Sequence, residues 1–321
     1  MTEANLDHPW NSAPSPMASG PGGLSPSTSG LTAPVRPDFN GTGGELLVTY
    51  LVGLLLTMIT FGIYLPWFVV KLRKFQYDNT TIKGLPGGQM GMAFTGTGGE
   101  LFVRGLVGYL LTAITLGIYG PWFICNLIDY FTENTTFTTA SGKQYRLNFK
   151  GKGGELFVTF LVGMILTGIT FGIYAPWFSC KLQKWINNNI EIYEDGTELV
   201  GQADFVGTGG ELFVVNLVGM LLTMITFGIY FPWFQVNLVK FNTHNTRINV
   251  KGRTIVPKFS GTGGELFVEF LVGYLLTLVT LGIYSPWWAV KLMKFNINNL
   301  SFEDVGQSAI GAGGAAGQLR A

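Results

Sequence analysis

Five glutamates are the residues in this chain whose type and spacing could most readily do chemistry. Glu45, Glu100, Glu155, Glu211 and Glu265 each follow a Gly-Gly pair, at intervals of 55, 55, 56 and 54 residues. If the units that carry them close into a ring, the carboxylates form a ring too, as at the mouth of a cation-selective pore. The plainer role is a helix start, where a carboxylate offsets the positive end of the helix dipole. Arg104 and Glu269 are a second candidate. They occupy one slot, held by Thr49, Thr159 and Val215 in the other copies, about one turn into an apolar segment. Charges in such a setting point to a functional pair, or to side chains that snorkel to a nearby interface.

Other chemistry is thinly supplied. Gly-Thr-Gly-Gly-Glu lacks the Gly-Lys-Ser/Thr of a phosphate loop and the acidic companion of a dinucleotide fingerprint. The two histidines, His8 and His244, and two cysteines, Cys125 and Cys180, make neither a metal cluster nor a disulfide framework. The cysteines share one slot in adjacent copies and read as buried thiols. No nucleophile–base pair or acid–base dyad stands out, so neither a reaction nor a cofactor is expected. A net charge of +1 gives no reason to expect nucleic acid.

The elements that position these residues repeat five times, a pattern that decides the architecture before any local reading. In the first copy the run Leu46 to Val70 is 25 residues without a charge, interrupted by Gly62 and Pro66. Glu45 opens a helix. The Phe-Gly-Ile-Tyr-x-Pro-Trp stretch stops it and starts a second, amphipathic one at about Pro66 to Tyr77, with Gly just past the end and Pro just inside the start. Thr57, Thr60 and Gly53 allow close helix packing. The joints are strand-like. Tyr145, Leu147 and Phe149 alternate with polar residues, and Asp195-Gly196 and Gly252 mark β-hairpins. Tyr64, Trp67, Tyr119, Trp122, Tyr174, Trp177, Tyr230, Trp233, Tyr284 and Trp287 recur beside the turns, as an interfacial aromatic belt would.

These features predict a mainly α membrane protein of five helix-turn-helix units joined by β-hairpins, for which a closed pseudo-five-fold ring is one arrangement. The units run 38–92, 93–147, 148–203, 204–257 and 258–302, between a disordered Pro/Ser/Gly-rich leader (1–37) and a flexible tail (303–321). As one straight helix, 25 residues would span about 37 Å, enough for a bilayer. The four joints carry 4, 4, 2 and 5 Lys plus Arg, without the alternation that single crossings would give. That favours helical hairpins with every joint on the cytoplasmic side. The basic KLRKF, KLQKW and KLMKF of copies one, three and five, against NLIDY and NLVKF, argue for single crossings instead.

The pattern F-x-G-x-G-G-E-L-F, then T-x-G-I-Y-x-P-W and K-L-x-K-F, resembles the YjgN-like family of bacterial inner-membrane proteins of unknown function. The likeness covers about residues 38 to 302. It implies an inner-membrane protein and no particular reaction. The chain departs from it in its leader, and at Asn126 and Asn237, where three copies have Lys. The expected function is a non-enzymatic structural or scaffolding role in the bilayer, with self-assembly or protein partners engaged through the β-hairpins and leader. A channel or transporter along the pseudo-symmetry axis is the second expectation, and a soluble repeat protein holding an apolar ligand the third.

Overall fold

The computed structural model describes residues 34–85 and 88–307. In the first unit β1 (Arg36–Phe39) leads into α1 (Gly43–Ile59), α2 (Leu65–Asp78) and β2 (Thr80–Leu85). The second repeats this with β3 (Gly88–Phe94), α3 (Gly98–Ile114), α4 (Gly120–Glu133) and β4 (Thr135–Thr139). Then come β5 (Gln144–Phe149), α5 (Gly153–Ile169), α6 (Ala175–Asn188) and β6 (Ile190–Glu194). The fourth unit has β7 (Glu198–Phe205), α7 (Gly209–Ile225), α8 (Phe231–Asn245) and β8 (Thr246–Val250). The fifth has β9 (Arg253–Phe259), α9 (Gly263–Val279), α10 (Ser285–Asn298) and β10 (Leu300–Gln307).

All ten strands form one antiparallel sheet in sequence order. Each helix pair is thus an insertion between two neighbouring strands of a meander, and all five leave from the same sheet end. The register shows how the sheet closes. Within a unit the strands flanking the helix pair are level: Phe39 faces Thr80, Phe94 faces Thr135 and Phe149 faces Ile190. Between units they are staggered by two. Thr81, one residue in from Thr80, faces Gly91, three in from Phe94. The isolated bridge between Val35 and Phe302 keeps this stagger across the seam, four residues in from Phe39 against two in from Leu300. Both of its backbone bonds form, at 3.1 and 2.7 Å. Five such steps give a shear of about ten for ten strands, hence a tilt of about 35° and a backbone radius of about 9 Å.

The cores lie between units, so no unit buries its own. Val70 of the first unit packs with Phe94, Leu101 and Tyr130 of the second. Cys180 packs with Phe205, Leu212 and Phe241. The seam has the same composition: Phe39 and Leu46 of the first unit pack with Val290 and Ile297 of the fifth.

Two close approaches explain the recurring glycines. A Cβ on Gly98 would lie 2.5 Å from the Trp67 ring and 2.6 Å from its backbone, and a Cβ on Gly43 would meet Trp287 of the fifth unit at 2.4 Å. The Pro-Trp of each unit and the Gly-Gly of the next are two halves of one joint. Inside a unit, a Cβ on Gly53 would lie 2.2 Å from Phe68, so that glycine lets the paired helices touch.

The fold class differs from the one the sequence leads one to expect. The joints are not separate hairpins between α units but one ten-stranded, nearly closed sheet, so the chain is not a mainly α membrane protein. No helix among the described residues is long and apolar enough to cross a membrane, so transmembrane helical hairpins are not what the apolar runs form. The reason is local. Each uncharged run is cut by a tight turn, leaving a 17-residue helix about 25 Å long, short of the ~30 Å hydrocarbon core. Residues 35–37 and 303–307, expected in the tails, belong to the sheet. The rest of the leader and tail lies outside the described residues.

Candidate functional site

The turns between paired helices make the most unusual surface. At the end of α1 the Thr60 hydroxyl donates to the Leu56 carbonyl at 2.7 Å and accepts from the Tyr64 amide at 3.0 Å. It ties the end of one helix to the start of the next. Phe61 follows with φ 48°, in the left-handed region, and Gly62 with φ 89°. Leu116, Phe171, Phe227 and Leu281 repeat this geometry at φ 49° to 51°. For such side chains that conformation costs about 1–2 kcal/mol. All five are 93–98% exposed. A strained backbone therefore holds five large apolar side chains almost wholly clear of the protein.

Below each tip the odd-numbered helix adds an exposed apolar stripe. In α1 this is Val48, Val52, Leu55 and Ile59, and every odd helix has its counterpart. Tips and stripes together make an apolar crown, and clustered exposed apolar side chains of this kind mark a contact surface.

The five glutamates sit at the starts of the odd helices. Glu45, Glu211 and Glu265 are held in capping boxes with Thr42, Thr208 and Thr262. Glu100 turns to Arg104 at 2.9 Å. Glu155 follows Lys152, which makes no side-chain cap. Arg104 and Glu269 are not brought together. Arg104 reaches Glu133 at 2.5 Å and Asp129 at 3.4 Å within its own helix pair, and Glu269 pairs with Lys291 at 3.4 Å. Burial raises the Glu133 carboxyl above its usual range, against the pull of Arg104. His244, the counterpart of Glu133 in the fourth unit, is held below its ordinary value, first by burial and then by Lys258, Lys240 and Arg247.

The aromatic pairs are placed by the joints. Tyr64 stacks on Trp67 at 6.0 Å, as do Tyr119 on Trp122, Tyr174 on Trp177, Tyr230 on Trp233 and Tyr284 on Trp287 at 5.9–6.2 Å. Trp67 also meets Phe102 of the next unit at 5.2 Å. Cys125 and Cys180 lie in separate core clusters, free and buried. At the far end of the barrel Glu194 is nearly buried between Lys143 and Lys251, which hold its carboxyl below the usual range. No group of acidic, histidine or cysteine side chains suited to a metal exists among the described residues.

Two features escape a reading of the sequence. The Gly–Trp joint was legible only as two motifs of equal period, not as partners. The left-handed Phe and Leu tips give no signal, because the Phe-Gly that forms them reads as an ordinary helix stop.

A ring of five βααβ units that meets at the seam between the first and the fifth, with an apolar crown on one side, defines the chain as a repeat protein. The chain belongs to the family of bacterial proteins of unknown function called DUF898, whose model matches it five times, at residues 34–86, 89–141, 144–203, 200–252 and 256–307. It is similar to the inner membrane protein YjgN of Salmonella typhimurium strain LT2, with 28% identity over 315 residues covering 82% of this chain and 74% of the relative. It is also similar to the inner membrane protein YjgN of Escherichia coli strain K12, with 38% identity over 122 residues covering 37% of this chain and 29% of the relative. No solved structure matches.

Proposed function

We propose that the chain is a non-enzymatic inner-membrane protein that seats its apolar crown in lipid and offers its barrel to water as an assembly surface. The observation that carries this reading is the set of five tip residues, 93–98% exposed on strained backbone. Water gives no return on that strain, and an apolar solvent does. The names of the YjgN relatives support the same compartment. The joints between units are then on the cytoplasmic side. Because the seam pairing uses both sheet edges, partners or further copies engage the β-hairpin turns and the leader rather than a free strand edge.

The test is flotation on neutral phosphatidylcholine vesicles. The wild-type chain floats. A Phe61→Ser/Phe171→Ser/Phe227→Ser variant loses about 1.5–3 kcal/mol of apolar transfer per tip, so its partitioning falls by a thousand-fold or more while its circular dichroism is unchanged. A variant that floats like wild type, or a wild-type chain that stays at the bottom, overturns the reading.

A second reading, a channel along the pseudo-symmetry axis, draws on one observation. The barrel and the helix ring close at the same seam, between the first and fifth units. Ion flux through vesicles carrying the protein separates the two. Flux that falls when Glu45, Glu100, Glu155, Glu211 and Glu265 are all changed to Gln favours the path, and no flux favours the scaffold.

A further inference from the structure

The helix pair of the third unit carries a groove whose chemistry sets it apart. Its volume is about 550 Å³, and its walls include Val158 and Val162 of α5 facing Lys181, Lys184 and Trp185 of α6. The other units put a carboxylate or fewer cations at these positions. The second has Arg104 ringed by Glu100, Asp129 and Glu133. The fifth pairs Lys291 with Glu269. The first has Asp78 where the third has Asn188, and the fourth has Asn237 where the third has Lys181. The third unit alone combines two lysines with a groove lining free of carboxylates.

Neither lysine makes an ion pair among the described residues. Lys181 donates to the Tyr174 phenol at 2.9 Å and lies 5.6 Å from its ring centroid. A neutral phenol orients the ammonium without neutralising it.

The groove also has two kinds of wall. On α6, Lys184 lies nearer the barrel and Lys181 reaches toward Tyr174 at the turn. Val158 and Val162, 65% and 45% exposed, lead toward the apolar tip at Ile169 and Phe171. A ligand that fits both walls has an anionic head and an apolar tail. With the crown in lipid, a bilayer phospholipid beside it supplies both. Basic clusters next to apolar surface attract anionic headgroups, each cation adding about five-fold to the affinity.

We infer that the third-unit groove takes an anionic phospholipid, its phosphate between Lys181 and Lys184 and its acyl chains along Val158 and Val162. This rests on the membrane reading above and adds a lipid class and a place to it.

Trp185 lines the groove and supplies the readout. Full-length protein in neutral detergent micelles is titrated with phosphatidylglycerol or phosphatidylcholine carrying brominated chains. The part of the quenching that disappears in Trp185→Phe reports on this groove. The expected result is stronger Trp185 quenching by phosphatidylglycerol, with a preference of about 20-fold that vanishes in Lys181→Gln/Lys184→Gln and survives in Lys181→Arg/Lys184→Arg. Millimolar inorganic phosphate leaves the signal in place. Equal quenching by both lipids, in a protein that still floats on neutral vesicles, overturns the inference and leaves the membrane reading standing. Displacement by inorganic phosphate overturns the lipid assignment. A chain that floats on no vesicle overturns both.

Discussion

Changing Gly43 to Ala tests the seam with internal controls. A Cβ at this position would lie 2.4 Å from the Trp287 ring and 2.8 Å from the Trp287 backbone. Ordinary carbon contacts are about 3.5–4.0 Å, so the first and fifth units must part by roughly 1 Å. Rotating the indole cannot relieve the contact with the backbone. Overpacking of this kind costs about 1–3 kcal/mol, and the backbone contact places Gly43→Ala at the upper end. Gly98→Ala should behave alike, because its Cβ would meet Trp67 at 2.5 Å. Gly44→Ala meets nothing within 4 Å and gains helix propensity of up to about 1 kcal/mol. The assay is thermal or denaturant unfolding of the three variants beside wild type. In a closed ring, Gly43→Ala and Gly98→Ala lose stability together while Gly44→Ala does not. In an open row the first unit has no neighbour on that side, and Gly43→Ala is as harmless as Gly44→Ala. That second pattern would refute the reasoning.

Three further perturbations bear on single contacts. Arg104→Gln leaves Glu100, Asp129 and Glu133 facing one another; these groups are more than a third exposed, so the loss near neutral pH is about 1 kcal/mol, and it shrinks as pH falls and the carboxylates take up protons. The His244 ring is held below its ordinary pKa of 6.5, so the unfolded chain binds the proton more readily; stability declines as pH falls from about 6.5 through the folded value, and His244→Gln flattens that part of the profile. Lys152→Thr supplies the helix cap that four units have and the third lacks, and it should raise stability by about 0.5–1 kcal/mol in the same unfolding assay.

The five-fold period, the glutamate helix starts and the Pro-Trp start of the second helix were all readable. Each depends on residues within one or two turns of one another. The helix expected to open at Glu45 runs from Gly43 to Ile59, and the one expected from Pro66 runs from Leu65 to Asp78. What the sequence hid depends on pairing between units. Gly41-x-Gly43-Gly44 shows no local sign of a partner, whereas Gly43 is the seat of an indole that lies 244 positions away. Tyr145, Leu147 and Phe149 show alternation, but which strand lies beside which is set by stagger across joints, and no local pattern encodes it. The length of the uncharged run misled the expectation of membrane-spanning helices, because Phe61 and Gly62 turn the backbone at its middle. Arg104 and Glu269 were noticed for their unusual charge, but their partners are ordinary residues one helix away.

The ring depends on the fifth unit closing onto the first. Val35 and Phe302 form a hydrogen-bonded antiparallel pair, whose Cα atoms in such a pairing lie about 5.5 Å apart, within the range a disulfide spans. In a background where Cys125 and Cys180 are Ser, cysteines placed at Val35 and Phe302 should crosslink quantitatively on mild oxidation. The product is a monomer that migrates faster on a denaturing gel and reverts on reduction. A pair that stays open, or that forms only crosslinked dimers, would contradict the closed ring.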